Sequence, residues 1–258
     1  MTFLVFIIVI VLIFDFINGF HDSANSIATV VSTKVLSPFA AVALAATFNF
    51  VAFLIFPLKV AKTIGSGVID TEIVTLELIA AAVLAAIIWN LITWWLGLPS
   101  SSSHTLVGGL VGAAIASSGF GSVVYAGILK IAVFIVIAPV LGMLMSYLIT
   151  ILVLHIVKGH SPFGVDKHFR RLQLVSASAF SLGHGGNDAQ KSMGIIWVAL
   201  YAMGKVPRDS DPALWIVLSC HAAIALGTLF GGWRIVKTMG QKITKLKPFE
   251  GFCAETAG

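Results

Sequence analysis

Apolar residues run along this chain in long blocks and do not alternate with polar ones. Stretches with few or no charges cover residues 1–14, continuing brokenly to 33, then 35–58, 78–98, 105–129, 131–154, 172–183 with a continuation to 204, and 212–233. A membrane-crossing helix needs roughly 20 predominantly apolar residues, whereas the strands of a membrane barrel are short and alternate in polarity. The blocks therefore predict an all-α polytopic membrane protein, and the length allows about six to eight such segments. Met1 to Phe14 has no basic start and no small-residue cleavage site, so it reads as the first span and not as a cleaved leader.

One interruption changes the picture. Pro99 and the run Ser100 to Ser103 fall in the middle of an apolar stretch. Irregular polar backbone at membrane depth is tolerated only where protein or a water-filled cavity surrounds it. Residues 75–119 could cross twice or could enter and return, and the polar tip favours a re-entrant hairpin. A serine-rich helix start at that tip would gather free backbone N–H groups and hydroxyls, which suits an anion, phosphate especially. Gly108, Gly109 and Gly112 would let the returning helix pack closely.

Composition agrees with the pattern: 58% of the 258 residues are hydrophobic and 10% charged, where a soluble domain carries about 25% charged residues. The net charge of +5 does not indicate a nucleic-acid partner, because the basic residues lie between the apolar runs, where loop charge sets orientation. With the N-terminus outside, ten basic residues fall inside (Lys34, Lys158, Lys167, Arg170, Arg171, Arg234, Lys237, Lys242, Lys245 and Lys247). Four fall outside (Lys59, Lys62, Lys205 and Arg208), and residue 258 is inside. Cys220 and Cys253 form no disulfide or metal-ligand pattern.

Two polar motifs sit inside apolar runs. The first is Asn18-Gly19-Phe20-His21-Asp22-Ser23-Ala24-Asn25-Ser26. A carboxylate at a helix centre costs about 2.5–3.5 kcal/mol on insertion scales, so Asp22 needs a cation, a donor or a cavity, and Gly19 would permit a helix break there. The competing reading is a surface helix cap, with Asp15 a second interfacial acid. The second motif is Ser181 to Ser192, in which Gly185-Gly186-Asn187-Asp188-Ala189-Gln190-Lys191 repeats the first at an offset of 188 − 22 = 166. Lys62-Thr63-Ile64-Gly65 also recurs as Lys237-Thr238-Met239-Gly240, at an offset of 175. With residue 62 outside and 237 inside, the repeats have opposite topology, an arrangement used by transporters with broken helices. Residues 1–157 then form the first transmembrane repeat, 158–171 a basic cytoplasmic linker, and 172–258 an incomplete second inverted repeat. His21, His104, His184 and His221 show no tight ligand spacing and read as hydrogen-bonding groups. No Gly-x-Ser-x-Gly element supports a hydrolase, so no enzyme is expected.

These motifs, together with Trp89-Asn90 through Leu98-Pro99-Ser100-Ser101-Ser102-Ser103-His104-Thr105 and Gly231-Gly232-Trp233-Arg234 to Gly240, resemble the inorganic phosphate transporter (PiT) family. The resemblance implies symport of inorganic phosphate driven by sodium or protons across a plasma or inner membrane, with no resident cofactor. It implies that Asp22, Asn25, Asn187 and Asp188 form the cation and phosphate region, with a transported sodium at Asp22 and Asp188 as the one metal. Ser101, Ser102, Ser103 and Thr105 would donate to phosphate oxygens. His21, which stands where the family commonly has Asn, and Gln190, Glu77 and Glu255 are lesser candidates, Glu255 leading into a second hairpin. Adding 175 to Pro99 and Ser100 places that second tip near residues 274 and 275, so the chain reads as an N-terminal fragment of a longer transporter. A sulfate permease of the same architecture, a nontransporting membrane subunit, and assembly into a homo-oligomer are the alternatives the sequence leaves open.

Overall fold

The computed structural model describes residues 1–56, 67–70, 73–207, 210–243 and 246–258. Lys59, the repeat anchor Lys62 to Gly65, Arg208 and Lys245 lie outside them. The described residues are helical almost throughout, and their one strand-like contact is the isolated bridge between Ile69 and Val123. In chain order the helices are α1 (Thr2–Ser32), α2 (Pro38–Val51), α3 (Leu76–Leu96), α4 (Ser102–Ser118), α5 (Tyr125–Val157), α6 (Pro162–Ala202), α7 (Leu214–Phe230), α8 (Trp233–Lys237) and α9 (Pro248–Ala257). By length and apolar character α1, α3 and α5 can each cross a membrane alone. A fourth such span exists if α7 and the helix after it count as one, bent by 53° at Gly231 and Gly232. Among the described residues that is fewer than the six to eight blocks suggest, because α2 is short and α6 carries both a polar motif and a charged first third.

α3 and α4 form the predicted hairpin. Leu4, Ile7, Val11 and Phe14 of α1 share one apolar core with Ile79, Val83 and Ala86 of α3, and the tip of the hairpin reaches the level of Asp22. About 15 Å of α1 continues past Asp22 to Ser32, so the hairpin turns back well before the bundle ends. On return, Gly109 lies against the Ala82 carbonyl, where a Cβ would have no room. The segments on either side of the hairpin are pinned together, Asp70 N donating to the Ser122 carbonyl and Val124 N to that of Val68, both at 2.9 Å. Entry and exit therefore share one end of the bundle.

Caps define the tip. Gly97 ends α3 in the left-handed region at φ +68°, and Ser101 opens α4 by accepting from His104 N. Arg234 of α8 stacks over Trp95 at 4.4 Å and donates to its carbonyl at 2.7 Å, placing a cation at the C-terminal end of α3. Gly97→Ala is expected to lower the thermal unfolding midpoint in detergent, at a cost of about 1–2 kcal/mol for a left-handed residue with a Cβ. An unchanged midpoint would remove the need for that conformation.

Two expectations change. Neither polar motif breaks its helix: α1 runs unbroken for 31 residues through Asn18 to Ser26, and α6 for 41 residues through Ser181 to Ser192. Gly19 serves close approach instead, since a Cβ there would fall on the Ile224 backbone of α7. The broken helix lies at the α7–α8 junction, where Gly232 N donates to Ser23 Oγ at 2.7 Å. The basic segment 158–171 is also largely helical, for α6 starts at Pro162 with Ser161 as its N-cap. Arg170 reaches the carbonyls of Thr33 and Lys34, so the start of α6 and the end of α1 share an end of the bundle. α5 exposes apolar side chains along nearly all its length, with Val153 its one buried residue, as a lipid-facing helix does.

Candidate functional site

The site forms where α1, α6 and the tip of the hairpin meet. Asp22 is 6% exposed. Its Oδ2 accepts from Ser102 Oγ at 3.0 Å, and its Oδ1 lies 3.0 Å from His21 Nδ1. The other ring nitrogen of His21, itself fully buried, faces Thr93 Oγ1 at 3.1 Å and Ser100 Oγ at 3.4 Å. The hairpin is thus fastened to the first motif from both sides of its turn, by Thr93 and Ser100 through His21 and by Ser102 directly on the carboxylate.

Asp188 is 7% exposed and faces Asp22 from α6. Asn18 Nδ2 donates to its Oδ2 at 3.3 Å, His184 Nδ1 lies 3.4 Å from the same oxygen, and the Lys191 ammonium contacts Oδ1. Lys191 also donates to Ser103 Oγ, linking the second motif to the hairpin. One ligand atom each from Asp22, His184 and Asp188 lie within 4.8 Å of one another, close enough to hold one cation. Burying like charges this near each other is costly: at 4 Å two unit charges interact by about 4 kcal/mol at an effective dielectric constant of 20. The carboxylates are kept close because Ser102, His21, Asn18 and Lys191 all face them.

The sequence candidates divide. Asp22, Asp188, Ser102 and Ser103 come together, and His21 joins them. Ser101 and Thr105 do not: Ser101 caps α4, Thr105 Oγ1 donates to the Ser101 carbonyl at 2.9 Å, and both line an outer groove of about 640 Å³ between α3 and α4. Asn25 and Asn187 are exposed beside the two aspartates. Asn187 and His184 line a cavity of about 580 Å³ between α6 and α9, which Ser176 and Glu255 also line. Gln190 is buried and donates to the Gly186 carbonyl at 2.9 Å. Glu77 is exposed in the first turn of α3, about 30 Å of helix from the tip, and takes no part. Glu255 is buried in a separate cluster, accepting from Thr29 of α1 and from Gln173 and Ser176 of α6.

Asp15, weighed as an interfacial acid, is fully buried and accepts from Ser192 Oγ. The reading of Asp22 as a surface cap fails for the same reason, since both acids lie inside the bundle. Lys191, His184, Asn18, Thr93 and Ser100 complete the site without having been singled out for it. The repeat offset carried the signal for Lys191, since 191 − 25 = 166 pairs it with Asn25. His221 is structural: Nδ1 lies 3.0 Å from the Asn49 carbonyl.

Apolar helices packed around a buried, charged centre, with a hairpin entering and leaving at one end, define an all-α polytopic membrane protein of the transporter class. Residues 18–258 match the phosphate transporter family, and the chain belongs to that family, one of transporters and not of enzymes. It is 58% identical over 255 residues to a protein of Rhizobium meliloti described as a "probable low-affinity inorganic phosphate transporter", covering 99% of this chain and 76% of that one. Proteins of Mycobacterium bovis and Bacillus subtilis with the same description are 46% and 45% identical. The chain spans 61% of the length of the first and 77% of the second. A solved structure titled "The sodium-dependent phosphate transporter" shares the fold at a TM-score of 0.88 and 24% identity, over 100% of this chain and 82% of its own.

Proposed function

We propose that this chain works in a secondary transporter that carries inorganic phosphate together with a cation, sodium or a proton, through a site shared by Asp22, Asp188 and the start of α4. The observation that carries the reading is the meeting of two repeat-related carboxylates, from helices whose motifs lie 166 residues apart, on one serine-rich helix N-terminus. Two buried carboxylates repel phosphate. A cation held between them with His184 offsets that repulsion and competes with Ser102 for Asp22, freeing the Ser102 hydroxyl and the first N–H groups of α4 to face the anion. Cation and phosphate then favour each other's binding by the same factor, which is symport in energetic terms. Rocking of the inverted repeats, residues 1–157 against 172–258, would expose the site to each side in turn. With ten basic residues against four, the end carrying Lys34 and Arg170 faces the cytoplasm and the N-terminus faces outward.

Ser102→Ala in the full-length transporter is expected to raise the KM for phosphate about tenfold or more, from loss of one charge-assisted hydrogen bond worth about 1.5–3 kcal/mol. Proteoliposome uptake checks it, with sulfate added as competitor. Stronger inhibition by sulfate than by phosphate itself would replace phosphate with sulfate as the cargo, and an unchanged KM would take Ser102 out of the site.

A further inference from the structure

The two motifs are not equal in their cations. Asp22-Ser23-Ala24-Asn25 aligns with Asp188-Ala189-Gln190-Lys191, so at the position where the first repeat has a neutral amide the second has an ammonium. The difference is expressed in space. Asn25 is exposed beside Asp22, whereas Lys191 folds back three residues along α6 onto Asp188 Oδ1 and spans to Ser103 on the hairpin. Asp188 Oδ2, by contrast, faces Asn18 and His184.

Resting on the phosphate–cation reading above, we infer that Lys191 is a tethered cation that occupies the Oδ1 side of Asp188, so that the site takes one transported cation per phosphate and not two. Asp22, Asp188 and Lys191 together carry one net negative charge. A single monovalent cation held by Asp22, His184 and Asp188 neutralises that charge. A second ion at Oδ1 would have to displace the ammonium from the carboxylate oxygen it contacts. Lys191 thereby fixes how many cations accompany each anion. It also ties that count to the hairpin, because the same ammonium holds Ser103 at the start of α4. Lys191 is a specificity-determining residue for the coupling ion, and its repeat partner Asn25 marks what the position looks like without the built-in charge.

The test compares the full-length transporter with its Lys191→Asn and Lys191→Arg forms, in phosphate uptake against sodium concentration and in sodium-dependent thermal protection of the purified protein. Lys191→Asn leaves two uncompensated carboxylates. Its uptake is expected to depend on sodium with a Hill slope rising from about one to about two, and sodium should protect it from unfolding more strongly than the parent. Lys191→Arg should keep the parent's slope. If Lys191→Asn does not transport, protection alone decides: gained protection by sodium supports the tethered cation, and protection equal to the parent's overturns it. The same slope in the parent and Lys191→Asn overturns it as well. Should the parent itself carry no phosphate, the transport reading fails, while the protection comparison still settles what Lys191 does.

Discussion

Asp188→Asn in the full-length transporter should reduce phosphate uptake by about two orders of magnitude or more. The substitution takes the counter-charge away from Lys191, leaving only a neutral amide beside it, and removes one of the charges that would hold the cation. Removing one partner of a buried ion pair typically costs about 3–5 kcal/mol, because the remaining charge is left without compensation. Some of that cost falls on folding, so uptake by Asp188→Asn alone cannot separate assembly from transport. The pair Asp188→Asn with Lys191→Asn can. With no orphaned ammonium, the double variant should insert and fold close to normally in the membrane, yet its uptake should stay at the level of Asp188→Asn. Recovery of uptake in the double variant would mean that Asp188 serves only to balance Lys191.

A second large effect is expected where the helices touch through backbone. Gly19→Val should leave little folded protein in the membrane, and Gly227→Val should do the same. A Cβ at Gly19 would fall on the Ile224 backbone of α7, and one at Gly227 on the Phe16 carbonyl of α1. The obstruction is backbone on both sides, so no rotamer change relieves it, and separating α1 from α7 would also pull at the hydrogen bond from Thr228 to the Gly19 carbonyl. Overpacking a well-packed core costs about 1–3 kcal/mol when side chains can yield, and here the upper end or beyond is expected. Gly19→Ala should show the same defect in milder form. Fluorescence-detected size exclusion in detergent measures it, and a monodisperse Gly19→Val at parental yield would contradict the contact.

These glycines show where the sequence was legible and where it was not. Helical class and the hairpin were open to reading, because bilayer thickness fixes the length of apolar blocks and only a protected tip can hold Pro99 and four serines at depth. The pairing of Asp22 with Asp188 was open too, through the repeat offset. Gly19 was not, since a glycine beside polar residues is equally the mark of a helix break and of close packing. Only the position of Ile224 distinguishes them. The division among the serines was hidden for a similar reason. Helical geometry turns Ser102 and Ser103 toward α1 and α6, while Ser101 and Thr105 serve the cap and the outer groove. Asp15 looked interfacial because the level at which α1 enters the bilayer depends on Ser192 and the core around it. Lys191 was visible as a letter in the motif, but its fold-back onto Asp188 depends on the hairpin arriving at Ser103.

The most direct measurement is a structure of the full-length transporter with phosphate and sodium bound. The account predicts phosphate density at the N-terminus of α4, within hydrogen-bond reach of Ser102 or Ser103, and cation density between Asp22, His184 and Asp188. Phosphate seated in the outer groove beside Trp89 and Gly108, or against Glu255, with the two aspartates free of any ion, would contradict it.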